Sequence, residues 1–152
     1  MKPAMTDEAL SLTIEQTPEP EAIQTVIRNL VAYNTSRAEP EGHQPLAVFV
    51  RDRSGAVFGG ACGYTHWGWL FVSHLWVGED LRGQGWGSRL MASLEAAAVL
   101  RGCHSAHLDT FSFQALGFYE RLGYQRFGTL PDYPAGHSRY FLWRRLVPLG
   151  SG

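Results

Sequence analysis

Three glycines at alternate positions, Gly83, Gly85 and Gly87, lie between a strongly apolar run and a strongly helical one, with Arg82 immediately before them. A strand that ends in such a turn and feeds a helix offers unpaired amide N–H groups. The first amides of a helix have no partner within it, and the helix dipole places roughly half a positive charge there. Glycines let the backbone approach a ligand with no Cβ in the way, and Arg82 adds a fixed cation and a fork of donors. The chemistry that fits is the binding of a phosphate or pyrophosphate. Two well-known phosphate motifs do not fit. The nucleoside-triphosphate loop needs a Lys after its glycines, and Lys2 is the only lysine in the chain. In the dinucleotide fingerprint the third glycine would come one residue later. Taken alone, the glycines are equally consistent with a tight turn that binds nothing.

The elements that must position this turn are readable from periodicity. Ser11–Gln16 alternates and reads as a strand. Thr17-Pro18-Glu19-Pro20 signals a helix start, and Ile23, Val26, Ile27, Leu30 and Val31 carry that helix to about Asn34. Thr35 to Gln44 is polar, contains Pro40 and Gly42, and reads as a loop. Leu46–Val50 and Ala56–Ala61 flank the turn signal Asp52-Arg53-Ser54-Gly55 and read as successive strands. Trp69–Val77 is apolar on both faces, which suits a central strand covered from both sides. Gly85–Arg101 is the clearest helix, with Leu90, Leu94, Ala97 and Ala98 on one face and Arg101-Gly102 as its stop. A strand at His107–Phe111, a short helix at Gln114–Leu122, and strands at Tyr124–Leu130 and Ser138–Leu146 complete the chain. The order β-α-β-β-β-α-β-α-β-β predicts an α+β domain with a mixed sheet.

Bulk properties narrow the functions. A chain of 152 residues suits a single domain with a core that needs no staples, and residues 1–10 read as a loose terminus. A 45% hydrophobic and 12% aromatic composition argues against disorder. The net charge of −1 gives no global field for nucleic acid or an anionic membrane, so neither partner is expected. Cys62 and Cys103 are too few for a disulfide framework. No run has the length of a membrane span or the pattern of a secretory leader, so a cytoplasmic setting is expected. The six histidines are scattered without paired ligand spacing, and no metal is expected.

The segment Val77-Gly78-Glu79-Asp80-Leu81-Arg82-Gly83-Gln84-Gly85-Trp86-Gly87-Ser88-Arg89-Leu90-Met91 resembles the coenzyme A signature of the GNAT acyltransferase superfamily. That signature is Gln/Arg-x-x-Gly-x-Gly/Ala after a central strand. Ala115-Leu116-Gly117-Phe118-Tyr119-Glu120-Arg121-Leu122-Gly123-Tyr124 resembles its second motif, and the order of elements agrees from about residue 10 to 147. Ser112 departs from the pattern, since many members have Asn there. The resemblance implies a twisted mixed sheet with splayed central strands, and acetyl-CoA as co-substrate. It implies that the amides of Arg82, Gly83, Gln84, Gly85, Trp86 and Gly87, with Ser88 after them, hold the pyrophosphate. The main chain of Leu75, Trp76 and Val77 would pair with the pantetheine arm like an added strand, with Ser112 also at the donor. The Leu75 amide would polarise the thioester carbonyl, and Tyr119 matches the proton donor for the departing thiolate. Tyr119 also suits a plain core position on an amphipathic helix.

The base is less clear. Alternation puts Phe71, Ser73 and Leu75 on one face of their strand, and Val72, His74 and Trp76 on the other. Matched to the superfamily, the face that often carries a base holds Phe71 and Ser73. His74 is therefore expected as a packed core histidine, with base catalysis its second reading. A water chain from Ser73, or an amine that arrives neutral, would take its place. The acceptor is implied to approach against Tyr33–Gln44, Trp67–Trp69 and Tyr133–Arg139. Trp67, Trp69 and Tyr133 would form an aromatic wall for a cationic amine, with Tyr33 and His137 nearby. The same rings would serve equally as core or as homodimer contacts. The expected function is direct transfer of an acetyl group from acetyl-CoA to a primary amine of a small molecule. N-acetylation of a protein or peptide is one alternative, and acyl-CoA binding without chemistry is another.

Overall fold

The computed structural model describes residues 2–4 and 9–148, so residues 1 and 5–8 of the terminus expected to be loose lie outside it. The chain forms two compact units, residues 1–40 and 41–152. In the first, helix α1 (Pro20–Arg37) begins with proline in its opening turn and ends where the Ala38 amide donates to the Asn34 carbonyl at 2.8 Å. Ser11–Gln16 is not the strand that its alternation predicts, and Leu12 and Ile14 stand exposed. An alternating segment gains strand stability only by pairing, and this unit has no strand among its described residues to pair with.

The second unit contains β1 (Gln44–Arg51), β2 (Val57–His66), β3 (Trp69–Val77), α2 (Trp86–Leu100), β4 (Ser105–Phe111), α3 (Leu116–Arg121), β5 (Gln125–Pro131) and β6 (Ser138–Arg145). The six strands form one sheet in the order β1-β2-β3-β4-β6-β5. Only β3 and β4 run parallel, which makes the sheet mixed, as the order of elements predicts. The apolar stripe of α2 (Leu90, Met91, Leu94 and Ala98) packs on Leu70, Val72, Ala106, Leu108 and Leu142. Tyr119 and Tyr124 close the same core. Glu95 of α2 is buried there, where Tyr124 donates to it at 3.2 Å and Arg144 of β6 lies 3.3 Å away.

Two irregularities break the sheet. β3 and β4 pair only between Trp69–Val72 and Ser105–Leu108. Beyond that point β3 stays with β2 as far as Val77 and β4 stays with β6 as far as Phe111, so the sheet opens between them. The second irregularity is a bulge in β3. Cys62 faces His74 and Gly63 faces Val72, which leaves Ser73 without an opposite residue. Only glycine permits this approach, because a Cβ on Gly63 would overlap the Phe71 carbonyl oxygen.

Candidate functional site

The turn after β3 is built to leave amides free. The Gly78 amide donates to the Phe58 carbonyl at 2.8 Å, and one tight turn at Glu79–Leu81 reverses the chain. Arg82 folds back, with Nε donating to the Val77 carbonyl at 3.0 Å. Gly83 and Gly85 adopt positive φ, +75° and +82°, and Gly85 is the N-cap residue just before α2. No side chain caps α2, so its first N–H groups keep their donors for something else. Gln84 turns away and braces the loop, with Nε2 donating to the Asp80 carbonyl at 3.0 Å. Gly87 lies against the Phe118 ring, where a Cβ would come within 3.2 Å of Cζ, and this close fit ties the start of α2 to α3.

A cavity of about 960 Å³ fills the opening between β3 and β4 and runs to this turn. Ser73, His74, Leu75, Trp76 and Val77 line one wall, and Arg82, Gly83, Gly85, Trp86, Gly87 and Ser88 line one end. Asp109, Thr110, Phe113 and Tyr119 line the other wall. Because β4 has left β3 here, the β3 edge facing the gap is free to pair with an extended ligand. Cationic end, open strand edge and buried phenol therefore meet in one space.

Tyr119 is 8% exposed, with the Phe118 ring edge-on at 5.1 Å. Burial, helped by the Asp109 carboxylate, pushes its phenol up to about 12, so the hydroxyl stays protonated and able to donate at neutral pH. Asp109 is held on a single oxygen, Oδ1, by Nε and Nη2 of Arg139, both at 2.9 Å. Arg139 in turn donates to the Tyr133 hydroxyl at 3.1 Å. The two thiols show no sign of being nucleophiles. Cys103 is buried in the core and burial pushes its thiol up, against the pull of Arg101, while Cys62 is not on the cavity wall.

Several sequence-based expectations need correction. His74 is exposed and is not a core histidine, because the bulge at Ser73 inverts the alternation of β3. Leu70 and Val72 face α2 before the bulge, but Leu75 and Val77 do so after it, which turns His74 and Trp76 out of the core. Trp67, Trp69 and Tyr133 do not form one wall. Trp67 is at the exposed β2–β3 turn, and Trp69 packs with His104, His107 and Trp143 at 5.6–5.8 Å. Tyr133 stacks on Phe111 at 5.5 Å. His137 and Ser112 face each other at 3.2 Å, where β4 ends and β6 begins, outside the cavity lining. Tyr33 belongs to α1, with the Arg37 guanidinium 5.5 Å over its ring. Gln114 does not begin α3; its Oε1 accepts from the Phe111 amide at 3.0 Å and closes the end of β4. Sequence reasoning missed Asp109 and Phe113 as wall residues. The available signal was a carboxylate near the end of a central strand, Leu108-Asp109-Thr110.

Comparison with known proteins gives the family. A model of the acetyltransferase (GNAT) family matches residues 7–124. An acetyltransferase of Agrobacterium fabrum is 35% identical over 136 residues, 90% of this chain and 99% of that protein. The blasticidin-S acetyltransferase of Streptomyces morookaense is 42% identical over 107 residues, 68% of this chain and 79% of that protein. The crystal structure of an acetyltransferase from Bacillus cereus superposes with a TM-score of 0.79 at 31% identity, covering 88% of this chain and 97% of that one.

Proposed function

The chain belongs to the acetyltransferase (GNAT) family, and from that premise we propose that it moves the acetyl group of acetyl-CoA to a primary amine of a small molecule. One observation carries this reading. The uncapped N-terminus of α2, the unpaired edge of β3 and Tyr119 line a single cavity, which suits an extended phosphate-containing thioester. The residues fit that donor: the open positive-φ turn at Gly83 and Gly85 leaves space for a pyrophosphate, and Arg82 neutralises part of its charge.

Bound there, acetyl-CoA supplies an activated acyl carbon, and the protein's own groups do the rest. The amides from Gly83 to Gly87 hold the phosphates, and the free β3 edge orients the arm. The Leu75 amide donates to the thioester carbonyl oxygen, where negative charge develops. Tyr119 donates its proton to the departing sulfur. Transfer is direct, with no enzyme nucleophile. The small-molecule acceptor is supported by the blasticidin-S acetyltransferase, a relative whose name specifies such a substrate.

The test is release of free coenzyme A across a panel of small amines and amino-terminal peptides, with the acetylated product identified by mass. Turnover of one or more small amines above the peptides is expected. Turnover of peptides alone would replace the acceptor class, and tight acetyl-CoA binding with no turnover would make this a binding domain.

A further inference from the structure

Ser73 and His74, the two residues at the β3 bulge, form a hydrogen-bonded pair on the cavity wall. The Ser73 hydroxyl donates to the Cys62 carbonyl at 3.0 Å, and the His74 Nδ1 lies 2.9 Å from the same Oγ. A hydroxyl has one proton, and the geometry offers it to the Cys62 carbonyl, which can only accept. In that arrangement Oγ accepts from His74, and the ring proton is on Nδ1. Nε2 is left with its lone pair and with no hydrogen-bond partner among the described residues. The bulge has turned this ring out of the core and onto the cavity wall, on the strand whose free edge faces the gap.

We infer that His74 is the base that deprotonates the acceptor ammonium, and that Ser73 is a positioning residue that fixes its tautomer. The inference rests on the acetyltransferase reading and adds to it the group that makes the amine nucleophilic. His74 Nε2 takes one proton from R–NH₃⁺, and the freed nitrogen lone pair forms the C–N bond as the C–S bond breaks. Tyr119 gives its proton to the leaving sulfur. The nitrogen's second proton, lost as the amide forms, restores the Tyr119 phenol. His74 then passes the first proton to solvent, so R–NH₃⁺ and acetyl-CoA give the amide, coenzyme A and one H⁺. The other charged or titratable side chains on the cavity wall are Arg82 before α2, Asp109 on β4, and Tyr119 and Arg121 on α3. None of them is hydrogen-bonded to the ring.

The experiment compares wild type with His74→Gln, Ser73→Ala and Ser73→Thr, using the best amine from the panel. His74→Gln is expected to bind acetyl-CoA as wild type does, to lose about 10²–10⁴-fold in kcat/KM near neutral pH, and to lose the acidic limb of the pH profile. The loss shrinks at high pH, where the amine arrives neutral. Ser73→Ala keeps that limb with a lower kcat, and Ser73→Thr, which keeps the hydroxyl, restores it. Should His74→Gln fail to fold, ¹⁵N spectra of the wild-type imidazole decide the tautomer: protonated Nδ1 supports the inference, and protonated Nε2 overturns it. A folded His74→Gln enzyme with wild-type rate and pH profile also overturns it, and leaves the transfer reading standing. A wild-type protein that binds acetyl-CoA but releases no coenzyme A would remove both.

Discussion

Tyr119 belongs to the core and to the cavity wall at once. Its ring packs beside Phe118 and Tyr124, and the residue also lines the cavity. Tyr119→Phe keeps the ring, so the fold and acetyl-CoA affinity should survive. Loss of the proton donor should lower kcat and kcat/KM together by about 10²–10⁴-fold, the pattern of an interaction made in the transition state. A folded Tyr119→Phe enzyme with wild-type kcat, where chemistry limits the rate, would reduce the residue to packing. The phenol also predicts a pH effect on stability. Below the ordinary value of 10.0 it is protonated in both folded and unfolded chains and contributes nothing to the pH dependence. Between 10.0 and about 12 the unfolded chain sheds the proton and the folded one keeps it, so stability falls as pH rises. Tyr124 adds to this fall, since burial and Glu95 push its phenol up as well. Denaturant titrations across that window should show a shallower alkaline loss in Tyr119→Phe, and identical slopes would contradict the assignment. The place of Tyr119 beside the cavity was legible because its motif is local, Phe118-Tyr119-Glu120-Arg121-Leu122-Gly123. Asp109 was not, because only the opening of the sheet gives that carboxylate a cavity to face.

A single inserted residue decides which way the later side chains of β3 face. Strand alternation has a period of two, so one bulged position moves every later side chain to the opposite face. Counting along Trp69–Val77 therefore placed His74 wrongly, although the strand itself was legible. The bulge is a property of the β2–β3 pair, and its mark in the sequence is on the partner strand, at Gly63. Gly63→Ala would drive a methyl into the Phe71 carbonyl, and should cost about 1–3 kcal/mol and displace His74. Urea melts showing an unchanged midpoint would contradict this. The α2 turn is the opposite case. Its strand, glycines and helix are consecutive, so both its position and the expected ligand could be read directly. Gly85→Asp would bring a carboxylate to the uncapped helix start, and should weaken acetyl-CoA binding by at least ~2 kcal/mol. Calorimetry with unchanged affinity in a folded variant would remove the phosphate assignment. Ser11–Gln16 illustrates the remaining failure, since alternation alone supplies no partner strand.

Across residues 41–152, the sheet behaves as two plates, β1-β2-β3 and β4-β6-β5, joined at one short parallel seam. The plates share α2 and its core at one end and separate at the other, so strands form both walls of the cavity. The buried Glu95–Tyr124–Arg144 contacts tie α2 to β6 across the seam, which fixes the helix start that carries the turn. The order of elements revealed this mixed sheet, because helices and hairpins alternate in sequence. The width of the gap and the side chains that border it depend on register, which no local pattern reports. If this gap seats the acyl donor, the structure of the complex with acetyl-CoA is the most direct test. The pyrophosphate is then expected on the amides of Gly83–Gly87, the arm hydrogen-bonded along the β3 edge at Leu75–Val77, and the sulfur within hydrogen-bond reach of the Tyr119 hydroxyl. A donor bound away from the gap, or a thioester out of reach of both Leu75 and Tyr119, would contradict it.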